Sequence, residues 1–282
     1  MDNAPIRPSL EDREIPAYIE SLLSFLGREN VEKALARYIR GKNANRSRPI
    51  YNYYYFMQRH PWFETFIDFK RIKERNGKYA APNLDARLLS TAIDSKTIQI
   101  LLERTNFPQK VIDKYRTDLL DENNAYFYLF ELYIALHYLM QGAEIEWIVG
   151  EGPEFIARRP GYPFQVECKY MTFDKGKNFR RGDFFTLADM LVSQISKLAL
   201  QGEIDIEYSK RLPSNTANLQ TISNAILEGV RADHPLVQLP DNQGEVRLAL
   251  RQGSKIALDE QAYRNELQER KPGTTIAISA PA

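Results

Sequence analysis

The segment Ala125–Met140, AYFYLFELYIALHYLM, is the most apolar stretch of the chain, and its length limits what it can become. A hydrocarbon core needs about 20 apolar residues to be spanned. This segment is shorter than that and carries both a glutamate and a histidine, so it reads as a buried helix over residues 124–141. Three short runs rich in β-branched and aromatic residues follow at once, at 144–149, 154–158 and 164–171. A helical pattern over 184–200 then leads through Gly202 into the alternating run 203–208, where Ile204, Ile206 and Tyr208 share one face. A helix between strands implies a crossover and a parallel pairing. From residue 121 the chain therefore reads α-β-β-β-α-β around a mixed sheet. A helix over 216–230, a strand over 246–250, a helix over 260–270 and a last strand over 274–279 are expected after it.

Residues 1–120 have a different texture. Apolar residues recur at three- and four-residue intervals over 15–40, and two helices are expected over 87–104 and 109–120, separated by Asn106-Phe107-Pro108. This half carries 21 basic and 15 acidic side chains, against 17 and 22 in the remainder. Its densest patch holds Arg28, Lys33, Arg37, Arg40, Lys42, Arg46 and Arg48 against Glu29 and Glu32. Such a patch suits a phosphate backbone, and it equally describes a solvated helix face. Tyr51, Tyr53, Tyr54, Tyr55 and Phe56 follow, rings that stack on unpaired bases or fill a core. Two domains are expected, 1–120 mostly helical and 121–282 α/β.

With 43% apolar and 27% charged residues in 282, the chain can bury an adequate core without disulfides. Cys168 is its one cysteine, and His60, His137 and His234 have no zinc-ligand spacing, so a reducing, cytoplasmic setting is the default expectation. The N-terminus MDNAPIRPSLEDREIP lacks the basic start and apolar run of a secretory signal. The chain stops on an apolar run, which suggests that the natural protein continues.

The chemistry concentrates in Gly152-Pro153-Glu154 and Phe164-Gln165-Val166-Glu167-Cys168-Lys169. In a strand, Glu167 and Lys169 project from one face while Val166 and Cys168 enter the other. Pro160-Gly161 suits the centre of a type II turn. A symmetric hairpin about that point sets Glu154 directly opposite Glu167, with Cβ atoms about 5 Å apart. Two facing carboxylates are destabilising unless a positive group lies between them. A divalent cation and Lys169 are the candidates, and oxygen ligands suit Mg²⁺ or Mn²⁺, with phosphoryl chemistry following. The plainer reading is a hairpin with exposed Glu and Lys. Glu131 is the only formally charged side chain of the apolar helix, and a buried carboxylate needs a partner, either the site or tyrosine hydroxyls. Lys175, Lys177, Arg180 and Arg181 form a basic stretch that could grip phosphates, and Gln194 and Lys197 are weaker candidates for the same cleft.

This constellation resembles the PD-(D/E)xK nuclease superfamily over about residues 121–210. The resemblance implies a restriction endonuclease-like αβββαβ core. It assigns Glu131 to the helix acid, Glu154 to the acid at the start of the second core strand, and Glu167 and Lys169 to the (D/E)xK pair. The backbone carbonyl of Cys168 would lie near the metal. Pro153 is followed by glutamate where the superfamily usually has aspartate, and residues 1–120 resemble no known family. The activity implied is a Mg²⁺- or Mn²⁺-dependent phosphodiesterase, an endonuclease acting on nucleic acid, DNA rather than RNA, without a membrane partner and compatible with a homodimer. The basic residues expected to bind nucleic acid are Lys175, Lys177, Arg180, Arg181, Arg37, Arg40, Arg46 and Arg48. The alternative is a nuclease-fold module that binds nucleic acid or a partner protein without cutting. A glycosidase using Glu154 and Glu167 is disfavoured by the adjacent lysine and the basic first half. Cys168 as a nucleophile is disfavoured because strand alternation turns its thiol inward.

Overall fold

The computed structural model describes residues 10–76, 86–150, 152–159, 162–169, 180–210, 215–252 and 274–278. Nine α-helices and seven strands lie among them, and no described helix is long and apolar enough to cross a membrane. The chain divides into two compact units. The first comprises residues 1–44 and 57–171, the second 45–56 and 172–282. The expected boundary at residue 120 is not where the division falls. The apolar helix and the three strands after it pack on the N-terminal helices, and a short Tyr-rich segment of the front half packs with the back half.

In the first unit, α1 (Ile15–Leu26) starts with Pro16 in its first turn, where a missing N–H costs nothing. It ends at Gly27, whose φ of 84° suits only a residue without a side chain. Helices α2 (Arg28–Ala44), α4 (Phe63–Asn76), α5 (Ala86–Arg104), α6 (Gln109–Asp118) and α7 (Ala125–Met140) complete the helical layer, with α3 (Pro49–Tyr54) belonging to the other unit. Strands β1 (Glu144–Trp147), β2 (Phe155–Arg159) and β3 (Tyr162–Val166) form an antiparallel meander. α7 packs against α5, α6, β1 and β2, which buries Phe155 and Ala157 on one face of the meander. The hairpin register pairs Phe155 with Val166 and Arg159 with Tyr162, as the symmetric-turn expectation requires. Pro160 and Gly161 themselves lie outside the described residues.

In the second unit, α8 (Arg181–Ile195) and α9 (Thr216–Arg231) cover an antiparallel sheet ordered β5-β6-β4-β7, from β4 (Leu200–Tyr208), β5 (Leu236–Gln238), β6 (Gly244–Gln252) and β7 (Thr274–Ile278). Leu187, Leu191, Ile195, Ile222 and Ile226 of the helices meet Ile204, Ile206 and Val246 of the sheet. This corrects the expected topology. β4 has antiparallel partners on both edges, β6 and β7, and it joins no sheet with β1, β2 and β3. A crossover helix fixes pairing only when both strands share a sheet. Here the later strands satisfy both edges of β4, so no edge remains for a parallel neighbour. The helix expected over 260–270 lies outside the described residues.

Gly202 makes the pairing of β4 with β6 possible. Its φ is 142°, and a Cβ on it would stand 1.9 Å from the carbonyl oxygen of Ala249. Gly202→Ala is expected to destabilise the second unit by at least about 2 kcal/mol, through backbone strain and displacement of β6. Urea unfolding of parent and variant checks this, and equal midpoints would remove the argument.

Candidate acidic site

Glu131 sits in the middle of α7, with 1% of its surface exposed. The Tyr115 hydroxyl, brought in by α6, donates to its Oε2 at 2.8 Å. Glu154 precedes β2 in a bend, and its backbone N–H donates to the Val166 carbonyl at 3.0 Å. Its carboxylate accepts from the Cys168 backbone N–H at 2.7 Å and lies near enough to Glu131 for the two charges to repel. Burial pushes the Glu131 carboxyl up to about 8, the Tyr115 hydrogen bond opposes the rise, and the neighbouring Glu154 charge adds to it. The Tyr115 hydroxyl is itself pushed well up, first by burial and then by the Glu131 charge. Burial, with Glu154 and Glu131 beside it, pushes the Cys168 thiol up to about 12, so the thiol stays protonated.

The structure thus brings Glu131 and Glu154 together and treats Glu167 differently. The ladder ends at the Phe155–Val166 pair. One residue beyond it, Glu154 turns its carboxylate to the backbone of Cys168 instead of facing Glu167. Glu167 is exposed and its Oε1 lies 3.3 Å from Lys169 Nζ, while Cys168 between them is buried. Exposure alternates over 167–169 as expected, but β3 ends at Val166 and these residues lie past the strand expected to carry them. Among the described residues, no group of three or more His, Cys, Asp or Glu is placed to hold a metal ion. The donor set of two adjacent carboxylates still fits a hard cation, because Mg²⁺ takes one or two protein carboxylates and completes its shell with water and phosphate.

Aromatic residues that sequence reasoning did not single out frame this pair. Tyr115 packs edge-on against Tyr128 and Trp147, and Trp147 against Phe107, whose centroid is 4.2 Å away. Trp147 Nε1 donates to Thr105 Oγ1 at 2.8 Å. The i, i+4 spacing of Val111 and Tyr115, both buried, was the signal that one face of α6 turns inward. His60 is a core residue: its Nε2 lies 2.9 Å from the Leu119 carbonyl, its ring stacks on Phe63, and burial holds it down at about 3.

The expected basic residues separate. Arg37 and Arg40 lie exposed on α2 in the first unit, and Arg46 and Arg48 belong to the second. Three cations of the same run are neutralised: Arg28 by Glu20, Lys33 by Glu29 and Lys42 by Glu64. The patch is therefore weaker than its composition suggests. Arg180 caps α8 and is exposed, and Arg181 donates to the Tyr54 carbonyl at 3.1 Å. Gln194 and Lys197 are exposed at the end of α8 and in the turn after it. Lys175 and Lys177 lie outside the described residues. Set against known protein families, characterised proteins and solved structures, the chain matches none.

Proposed function

We propose that the chain is a metal-dependent nuclease, an endonuclease that hydrolyses phosphodiester bonds in DNA. The observation that carries this reading is the buried Glu131 carboxyl close to the charge of Glu154, which is tied to the backbone of the Glu167-Cys168-Lys169 tripeptide. Two neighbouring carboxyls inside a protein favour a proton on one of them or a cation between them. Glu131 and Glu154 would hold Mg²⁺ or Mn²⁺, with the Cys168 carbonyl and Glu167 as further oxygens. Such a cation neutralises charge on a phosphate and lowers the pKa of water. The hydrogen bond from Cys168 N–H fixes the Glu154 carboxylate, and the Tyr115 hydroxyl fixes that of Glu131. Lys169, exposed and next to Cys168, offers an ammonium that orients the attacking water or meets the charge building at phosphorus.

The test is cleavage of supercoiled double-stranded and circular single-stranded DNA with Mg²⁺, Mn²⁺ or EDTA. Lys169→Ala is expected to lower the rate about a hundredfold. Its stability should change by no more than about 0.5 kcal/mol, since its side chain is mostly exposed. Undiminished cleavage in that variant, or cleavage in EDTA, sinks the mechanism. The ion pair between Glu167 and Lys169 on the surface favours one other reading, a nuclease-fold module that binds without cutting. That reading expects no cleavage with either metal and no metal-dependent gain in melting temperature.

A further inference from the structure

In the second unit, α3, the first turn of α8 and the first turn of α9 enclose a pocket of about 470 Å³, within the range of small-molecule sites. Arg48 and Arg180 supply cations to its lining, Tyr51 and Tyr55 supply rings, and Asp183 supplies an acid. The lining is held in place before any ligand arrives. The Asp189 carboxylate accepts from the backbone N–H groups of Ile50 and Tyr51, each at 2.8 Å, and so pins the start of α3 to α8. The Arg48 guanidinium lies 3.9 Å over the Tyr51 ring and donates to Thr186 Oγ1 and to Asn45 Oδ1. With five N–H donors in a rigid fork, it keeps donors unspent. Tyr51 and Tyr55 have ring centroids 5.1 Å apart, and a Cβ on Gly182 would stand 3.0 Å from the Tyr55 ring, so glycine there lets the ring lie against the helix backbone. The Arg180 side chain is exposed and has no ion pair or hydrogen bond among the described residues.

We infer that this pocket binds a nucleoside monophosphate group, with its phosphate on Arg48 and Arg180 and its base against Tyr51 and Tyr55. Guanidinium forks match phosphate oxygens in pairs, and tyrosine faces stack on bases with little regard to sequence. The inference makes no use of the Glu131–Glu154 pair, so it stands or falls apart from the nuclease reading.

Isothermal titration of the full chain in EDTA tests it with five probes: adenosine monophosphate, thymidine monophosphate, adenosine, inorganic phosphate and pentathymidylate. Both nucleotides are expected to bind at least about tenfold more tightly than adenosine or phosphate alone. Arg180→Ala should weaken both nucleotides at least about tenfold, and its exposed side chain makes unfolding an unsuitable explanation. Tyr55→Leu should weaken the nucleotides and leave phosphate unchanged. Displacement of thymidine monophosphate by pentathymidylate would assign the group to a strand, and failure to displace it would assign it to a free nucleotide. Absence of nucleotide binding, equal binding of phosphate and nucleotide, or indifference to Arg180→Ala would overturn the inference. Nucleotide binding without DNA cleavage leaves the pocket and removes the nuclease. Cleavage without nucleotide binding does the reverse.

Discussion

At about pH 9 and without metal, Glu131→Gln is expected to be more stable than the parent chain by roughly 3 to 5 kcal/mol, and with Mg²⁺ present to have lost DNA cleavage by at least about a thousandfold. The stability gain follows from the position of the carboxyl. Glu131 titrates at about 8 in the folded chain, above its ordinary value of 4.5. The folded state therefore holds the proton more tightly than the unfolded one. Its contribution to stability is fully present below about 4.5 and is lost as pH rises through about 8. Glutamine keeps an acceptor for the Tyr115 hydroxyl and cannot ionise. Chemical denaturation from about pH 5 to pH 9 in EDTA should give a falling stability for the parent and a flatter one for the variant. Mg²⁺ at about pH 8 should raise the melting temperature of the parent and leave that of the variant in place. Parallel pH curves would show that Glu131 is not buried as described. A parent indifferent to Mg²⁺ would separate the buried acid from any metal role.

Asp94→Ala is expected to destabilise the first unit by about 4 kcal/mol, the largest loss from a single polar side chain. Asp94 is buried in α5 and ties three elements together. Its Oδ2 accepts from Trp62 Nε1 at 2.7 Å, ahead of α4, and its Oδ1 accepts from the Tyr133 hydroxyl of α7. Alanine leaves the indole N–H and the phenol without that acceptor and opens a small cavity, which are separate costs. Asp94→Asn keeps one acceptor and should lose less than half as much. Because Tyr133 is two residues from Glu131, the alanine variant should also cleave DNA more slowly at temperatures where it remains folded. Urea midpoints for the two variants check the order, and an alanine variant as stable as the asparagine one would refute it.

Local patterns in this chain reported local structure faithfully. The helices at 86–104, 109–118 and 125–140 follow their apolar spacing and the break at Pro108, and the hairpin register follows from the position of Pro160-Gly161 alone. The isolation of Glu131 in an apolar helix called for a partner, either the site or a tyrosine hydroxyl, and the Tyr115 hydroxyl is one. What did not show was the choice of sheet. The alternation in 203–208 says that a strand has a buried face, and it says nothing of which strands lie beside it, which depends on segments up to 74 residues later. Glu154 illustrates the same limit at one residue. Register set it opposite Glu167, and a single bend before β2 sent its carboxylate to the backbone of Cys168 instead. The Tyr-rich segment carried no apolar period, so α3 and its attachment to Asp189 could not be read from spacing.

That attachment has a consequence for synthesis. Tyr51 and the Asp189 carboxylate that holds it are 138 residues apart, and a ribosome delivers about 5 to 20 residues per second. α3 leaves the exit tunnel roughly 7 to 28 seconds before its anchor. The first unit can close meanwhile around a looped-out segment, and the second cannot begin to assemble until translation is two-thirds done. For the same reason a gene cut at codon 171 does not yield two foldable halves: the upstream piece keeps an orphaned helix, and the downstream piece lacks it.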